Sequence, residues 1–170
     1  MNTSIRYMTR QDRAPVLRIV HNIKEFTPSE MAVAEEVIDD YLEDPLCSGY
    51  NISLAIVDRQ IVGYICFGPA PMTNGTWDIY WMAVDPKWQS RGIGHTLMTH
   101  AEHLIRHSKG RLIIIETSSK PEYEKTRRFH VSHGYEISCK IEGFYAPDDD
   151  KLVLMKRLNH HKHINIFQKG

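Results

Sequence analysis

The chain has 170 residues and a mass of 19.7 kDa, enough for one domain with a sizeable core and little more. Its 21 lysines and arginines balance 21 aspartates and glutamates, so no global basic field exists to attract nucleic acid or an anionic membrane. With 42% hydrophobic and 25% charged residues the composition is that of an ordinary globular chain, which excludes collagen-like, low-complexity and wholly disordered classes.

A short strand is expected over Ser4 to Met8, and Thr9 followed by Asp12 reads as the start of a first helix carrying Val16, Leu17, Ile19 and Val20. Thr27-Pro28-Ser29-Glu30 is a stronger start, with a capping threonine, a proline at the first helical position and a glutamate that closes a capping box. Met31, Ala34, Val37, Ile38, Tyr41 and Leu42 then recur at helical spacing to about Asp44, where Pro45 stops the helix.

From Ile52 the period changes to that of strands. Ile52 to Val57 and Gln60 to Phe67 flank Asp58-Arg59, a hairpin turn. Residues 68–75 read as a loop, and Thr76 to Val84 as an aromatic-rich strand ended by Asp85-Pro86. Gly92 opens a helix with Ile93, Leu97, Met98, Ala101, Leu104 and Ile105 on one stripe and His100, His103, Arg106 and His107 opposite. Arg111 to Thr117 is a β-branched run of the buried-strand type. Ser119-Lys120-Pro121-Glu122 offers a capping box for a helix through about His133, with Gly134 as its stop. Tyr135 to Ile141 and Lys151 to Leu158 read as closing strands joined by a loop over residues 142–150, in which Asp148, Asp149 and Asp150 form a turn that can attract a cation. The order predicts an α/β domain with a mixed central sheet flanked by helices over residues 1–158, followed by a flexible tail over 159–170.

The start of the chain lacks the apolar stretch of a secretory signal and no segment holds the 18 apolar residues of a membrane span, so a cytoplasmic location is expected. Cys47, Cys66 and Cys139 are odd in number and scattered, reading as reduced thiols. His100, His103 and His107 have a spacing that suits a metal, yet they lie where solvated polar residues belong, and His160, His161 and His163 form only a basic tail. No metal is expected.

The segment that carries chemistry runs from the strand end Val84-Asp85-Pro86 through Gln89-Ser90-Arg91-Gly92-Ile93-Gly94 into a helix. Glycines at 92 and 94 remove Cβ atoms where backbone N–H groups converge at a helix N-terminus, an arrangement that holds a phosphate. No Gly-Lys-Ser/Thr follows, and Leu97 stands where a dinucleotide fingerprint needs its third glycine. The Gln89-x-x-Gly92-x-Gly94 pattern after Ala83-Val84-Asp85-Pro86, with Phe129 and Gly134-Tyr135 further on, resembles the GNAT superfamily of N-acetyltransferases over Ile52 to about Leu158.

That resemblance implies the GNAT fold and acetyl-CoA as co-substrate. It assigns the pyrophosphate to the backbone around Gln89, Ser90, Arg91, Gly92, Ile93, Gly94 and His95, and the pantetheine arm to the strand around Met82, Ala83 and Val84. The reaction implied is acetyl transfer to a primary amine of a small molecule, peptide or protein, by direct attack on the thioester. A primary amine is mostly protonated near pH 7, so the site needs a base, and Asp78, where relatives often carry glutamate, is the candidate; as a bare residue it is equally a strand-start carboxylate facing solvent. His130 stands where relatives have tyrosine and is the candidate acid for the departing thiolate, with Tyr123 and Tyr80 as alternatives. Tyr123 replaces an asparagine and either faces the thiol or packs. Glu25 to Pro28 correspond to a segment that helps cover the acceptor, and the closing strands to a surface used for homodimers. Trp77, Tyr80, Trp81 and Trp88 cluster around the cofactor strand as acceptor lining or core. Two other readings share the fold: an acyl-CoA-binding module without turnover, and an interaction scaffold that binds no cofactor.

Overall fold

In the computed structural model, which describes residues 2–158, four helices pack against seven strands. The strands are β1 (Ser4–Tyr7), β2 (Asn51–Val57), β3 (Gln60–Pro69), β4 (Thr76–Val84), β5 (Leu112–Ser118), β6 (Glu136–Ala146) and β7 (Asp149–Arg157). They form one sheet in the order β1-β2-β3-β4-β5-β7-β6. The helices are α1 (Arg13–Asn22), α2 (Pro28–Glu43), α3 (Ile93–His107) and α4 (Glu124–Ser132). The expected tail over 159–170 and its histidines lie outside the described residues, among which no helix is long and apolar enough to cross a membrane.

Every strand pair is antiparallel except β4 with β5, and that pair is short: Thr76 to Leu112, Trp77 to Ile113 and Asp78 to Ile114. Beyond Asp78 and Ile114 the two strands run on without pairing each other. Their C-terminal halves therefore flank an open wedge, the place where parallel strands of α/β sheets present ligand sites.

Each face of the sheet has its own core. On one, α3 buries Ile93, Leu97, Met98, Ala101 and Ile105 against Val57, Ile65, Phe67 and Ile113. On the other, α1 and α2 bury Val16, Ile19, Val20, Ala34, Ile38 and Tyr41 against Ile52, Leu54, Tyr64 and Cys66. The Thr27 box forms as the sequence predicts: Glu30 N–H donates to Thr27 Oγ1 (3.2 Å) and Thr27 N–H to Glu30 Oε2 (2.7 Å).

Several local expectations are corrected. Arg10–Asp12 make a 3-10 turn before α1 begins at Arg13, because Asp12 turns back to accept from Thr9 N–H and to pair with Arg6. Strand β3 runs to Pro69 rather than Phe67. The Ser119 box does not form: Ser119 Oγ accepts from Asp150 N–H (2.9 Å), Pro121–Tyr123 form a 3-10 turn and α4 starts only at Glu124. The loop over 142–150 shrinks to Pro147-Asp148, since β6 and β7 extend to Ala146 and from Asp149. Asp149 is buried and accepts from Ser118 Oγ, while Asp150 pairs with Lys140 at 2.8 Å, so two of the three acids are engaged inside the protein. His100 is half-buried, its Nε2 3.3 Å from Ser53 Oγ, rather than on the solvated side of α3.

Glu102 on α3 is 6% exposed and is held by Lys156 of β7, whose Nζ reaches both carboxylate oxygens and the His133 carbonyl at 2.7 Å each. Removing Lys156 leaves the buried carboxylate with only Arg106, 3.8 Å away, beside it, so the loss should fall at the lower end of the range of about 3–5 kcal/mol for a bare buried charge. Lys156→Met is therefore expected to lower Tm on the order of 10 °C, and adding Glu102→Gln to recover part of it, as thermal unfolding would read.

Candidate active site

The wedge is flanked on one side by β4 beyond Asp78 and on the other by β5 from Ile115 to Ser118, and it leads from Asp78 toward the start of α3. On β4, Trp77, Ile79, Met82 and Val84 pack into the α3 core, while Ala83 and Trp81 belong to the α1/α2 core. The register slips by one residue at Tyr80, where Cys66 opposes Trp81 and Phe67 opposes Ile79. Such a bulge re-aims side chains beside a site. The four clustered aromatics divide accordingly: Trp77 and Trp88 pack against the α3 core, Trp81 meets Phe26 edge-on at 5.4 Å, and Tyr80, the exposed one, meets Tyr50 at 5.3 Å.

Asp78 is half-buried at the apex of the wedge. Burial raises its pKa above the ordinary carboxylate value, and Glu116 across the wedge raises it further. Glu116 is itself 2.6 Å from Lys151 Nζ. Burial, followed by the Asp78 charge, pushes the neighbouring Tyr80 phenol up to about 12. Cys66, the buried cysteine, has its thiol pushed up by burial, which makes it an unreactive thiol rather than a nucleophile.

At the far end of β4, Asp85 accepts from Lys87 N–H (2.9 Å) and caps a 3-10 turn over Pro86–Trp88. The chain then passes Ser90 at φ +60° and Gly92 at φ +82° before α3 begins. Gly92 is the N-cap, and no side chain caps this end, so the first amides of α3, at Ile93, Gly94 and His95, are free to meet an anion. A Cβ on Gly92 would meet nothing within 4 Å; the space over the loop is open. At Gly94 a Cβ would touch the Phe129 ring at 3.3 Å, so this glycine lets α4 close against the loop. These features fit a pyrophosphate held by main-chain amides, with the helix dipole adding positive potential.

The side chains of the loop are arranged around that cradle. Gln89 donates through Nε2 to the Val84 carbonyl (3.2 Å) and accepts from Lys125 Nζ (3.0 Å), tying the end of β4 to α4. One of the β4 carbonyls expected to face pantetheine is thus already partnered within the chain. Arg91 stacks over Trp88, 5.0 Å from its ring centre. His133 Nδ1 lies 2.8 Å from the Phe129 carbonyl and must carry a proton there, so His133 Nε2 accepts from His95 Nδ1 at 2.9 Å. Lys125 and His133 carry no motif signal in the sequence and emerge only from these contacts.

The remaining expected residues lie apart from the cradle. His130 is 4% exposed between Phe129 and Tyr135, and its Nδ1 is buried without a hydrogen-bond partner among the described residues. Burial, with a smaller contribution from His133, lowers its pKa to about 4. Because the folded pKa is depressed, stability from this residue is complete above the unfolded value of about 6.5 and is lost as pH falls toward 4. The loss across that window amounts to about 3 kcal/mol. Urea unfolding at pH 7 and pH 5 is expected to show about 2 kcal/mol of it, and His130→Phe, which cannot take up the proton, to flatten the difference. Tyr123 lies at the start of α4, with its hydroxyl 2.7 Å from Glu30 Oε1 and 3.0 Å from the Glu25 carbonyl. Burial, then the Glu30 bond, keeps its phenol protonated. Among the described residues no three His, Cys, Asp or Glu side chains gather to hold a metal. A depression lined by Arg10, Arg13, Asp39, Leu42 and Glu43 shares no residue with the wedge.

A family model described as the acetyltransferase (GNAT) family matches residues 17–135. Among solved structures, one from Desulfovibrio desulfuricans described as an acetyltransferase of the GNAT family is 36% identical, with 92% of this chain and 99% of that one covered and a TM-score of 0.88. The PaiA N-acetyltransferase from Thermoplasma acidophilum, in complex with coenzyme A, is 12% identical over 93% of this chain and 100% of that one, TM-score 0.74. The ribosomal-protein-S18-alanine N-acetyltransferase from Escherichia coli is 13% identical over 98% and 100%, TM-score 0.74. The last two show likeness of fold. A search of curated proteins finds no match.

Proposed function

The chain belongs to the GNAT acetyltransferase family, and from that premise we propose that it transfers the acetyl group of acetyl-CoA to a primary amine of a small molecule or of a peptide or protein. The observation that carries the reading is the unpaired wedge between β4 and β5 running into an uncapped, glycine-opened helix N-terminus. An extended thiol arm with a pyrophosphate at its far end matches that shape. The amides around Arg91, Gly92, Ile93, Gly94 and His95 would hold the pyrophosphate, with Gln89 and Ser90 shaping the loop. The main-chain edge of Met82, Ala83 and Val84 that β5 leaves unpaired would hold the arm, with the Val84 carbonyl released from Gln89 or left out of the contact.

In this reading Asp78 takes the proton from the attacking ammonium, directly or through a water. The raised pKa of Asp78 makes it a better base than an exposed carboxylate. The departing thiolate needs less help than an alkoxide or amide would, because thiols are far more acidic than alcohols or amines. His130, neutral at pH 7, offers a ring N–H as a hydrogen-bond donor to that sulfur rather than an imidazolium proton. No cysteine of suitable exposure and pKa adjoins Asp78, which favours direct attack over an acyl-enzyme.

The test is thermal unfolding with acetyl-CoA, using ATP and NAD as controls, followed by an amine panel scored by thiol release. At about 100 times the dissociation constant, a ligand of the folded state alone adds roughly 2.7 kcal/mol, a shift of several degrees. A shift with acetyl-CoA alone, with amine-dependent release, is expected. Binding without release by any amine would make the chain a silent CoA-binding module, and no shift at all an interaction scaffold.

A further inference from the structure

Two segments face each other across the wedge. The α1–α2 loop and the start of α2 are packed on the block β1 to β4, where Phe26 rests against Trp81. The turn over Pro121–Tyr123 follows β5 and belongs to the other block. One side chain joins them: the Tyr123 hydroxyl reaches both Glu30 Oε1 at 2.7 Å and the Glu25 carbonyl at 3.0 Å, a link between residues more than ninety positions apart.

Both ends of that link are held firmly. Glu30 keeps its other oxygen on Thr27 N–H, so the same carboxylate caps α2 and receives the phenol. On the opposite side, Arg127 Nη1 donates to the carbonyls of Ser118 and Lys120 at 2.7 and 2.8 Å, and Lys120 N–H donates to Ser118 Oγ at 3.0 Å. Ser119 N–H donates to the Asp150 carbonyl, and Asp150 N–H returns to Ser119 Oγ, both at 2.9 Å. Tyr123 is thus presented from a rigid turn to an otherwise exposed loop, where Lys24, Glu25 and Thr27 all face solvent.

We propose that Tyr123 is a positioning residue, not a proton donor in the chemistry: its hydroxyl clasps the 24–30 loop across the mouth of the wedge and sets the wall against which the acceptor amine is bound. The phenol has a single proton, and two acceptors of this chain already compete for it. A departing thiolate would have to break the clasp to obtain it. The kinetic part of this inference rests on the acetyl-transfer reading; the clasp itself does not.

Tyr123→Phe removes the hydroxyl and keeps the ring, so the fold is retained. Backbone hydrogen exchange is expected to quicken about fivefold or more at residues 24–30, as befits loss of a hydrogen bond to a carboxylate, and to stay unchanged in β5 and α3. In Glu30→Gln the single amide oxygen keeps the capping box while the amide N–H donates to the Tyr123 oxygen, whose own proton goes to the Glu25 carbonyl. The protection is therefore expected to be retained, whereas Glu30→Ala loses it. With an amine from the panel, KM for the acceptor is expected to rise about tenfold in Tyr123→Phe, with kcat within threefold and the pH–rate profile unmoved. The acetyl-CoA thermal shift should be that of the unaltered protein. Unchanged exchange at 24–30 overturns the clasp. A hundredfold fall in kcat at constant acceptor KM, or loss of the alkaline limb of the profile, makes Tyr123 the acid and overturns the positioning role. If the unaltered protein binds acetyl-CoA but releases no thiol with any amine, the acetyl-transfer reading fails while the exchange comparison still decides the clasp.

Discussion

Gly92→Asp is expected to weaken acetyl-CoA binding by about a hundredfold while leaving the protein folded. Gly92 has φ +82° and open space around its Cα, so a side chain fits sterically and would project where the anion belongs. Two effects then combine on affinity. A fixed negative charge opposes the pyrophosphate at a place where the helix end contributes about 0.3–1 kcal/mol in its favour. At least one charge-assisted hydrogen bond, worth about 1.5–3 kcal/mol, is lost. The left-handed conformation costs a non-glycine residue about 1–2 kcal/mol, least for Asp and Asn, with or without ligand, so it lowers Tm rather than affinity. Since about 1.4 kcal/mol is tenfold in affinity, the two sum to roughly 20- to 700-fold. Gly92→Asn has the same shape and backbone tolerance without the charge, and should lose roughly tenfold. Titration of both variants by isothermal calorimetry, with Tm as the check on folding, separates charge from bulk; equal losses in the two would mean that the amides do not hold an anion.

The second large effect is at Asp78. Asp78→Asn is expected to lower kcat/KM by about 100- to 1,000-fold, the range that a positioned general base supplies. The pH profile carries the sharper information. Only the carboxylate accepts a proton, so activity falls as pH drops through the pKa of Asp78, which burial and Glu116 have raised above the ordinary value. Asp78→Asn should erase that acid limb. Glu116→Gln removes the neighbouring negative charge, lowers the pKa of Asp78 and should move the limb to lower pH without changing the plateau. An acid limb that persists in Asp78→Asn assigns the base to another group.

The sequence is readable wherever a short local rule decides the structure, and unreadable where two distant segments decide it together. Thr27 and Glu30 carry a complete capping box, and it forms with both of its hydrogen bonds. Gly92 and Gly94 identify the loop because few other residues serve in a left-handed cap or under the Phe129 ring. Ser119 carries the same local signal as Thr27 and yet does not cap α4, because Asp150 from β7 occupies its hydroxyl. The extension of β6 to Ala146 is hidden by Gly143, which has φ +59° and lies in a register irregularity that breaks the alternation of side chains. Glu102 carries no signal of its burial in the sequence, because its partner Lys156 stands on the last strand and meets it only in the fold. The wedge has no signature at all within β4 or β5, since separation of strands is a property of the sheet. Asp78 could be named from the sequence, but its raised pKa could not, because burial in the assembled sheet is its main cause and Glu116, the second, lies on a strand reached only after α3.

The three pairings from Thr76–Leu112 to Asp78–Ile114 are also the whole hydrogen-bonded seam between two blocks of strands. Strands β2, β3 and β4 zip through chain neighbours, as do β6 and β7, whereas the seam closes over the excursion through α3 with only three pairings to offset its loop-closure entropy. With fewer pairings than any other join of the sheet, it should be the first to part. A molecule lying in the wedge would touch both blocks and add its binding energy at that joint, so a ligand bound there would also be a splint between the two halves of the sheet.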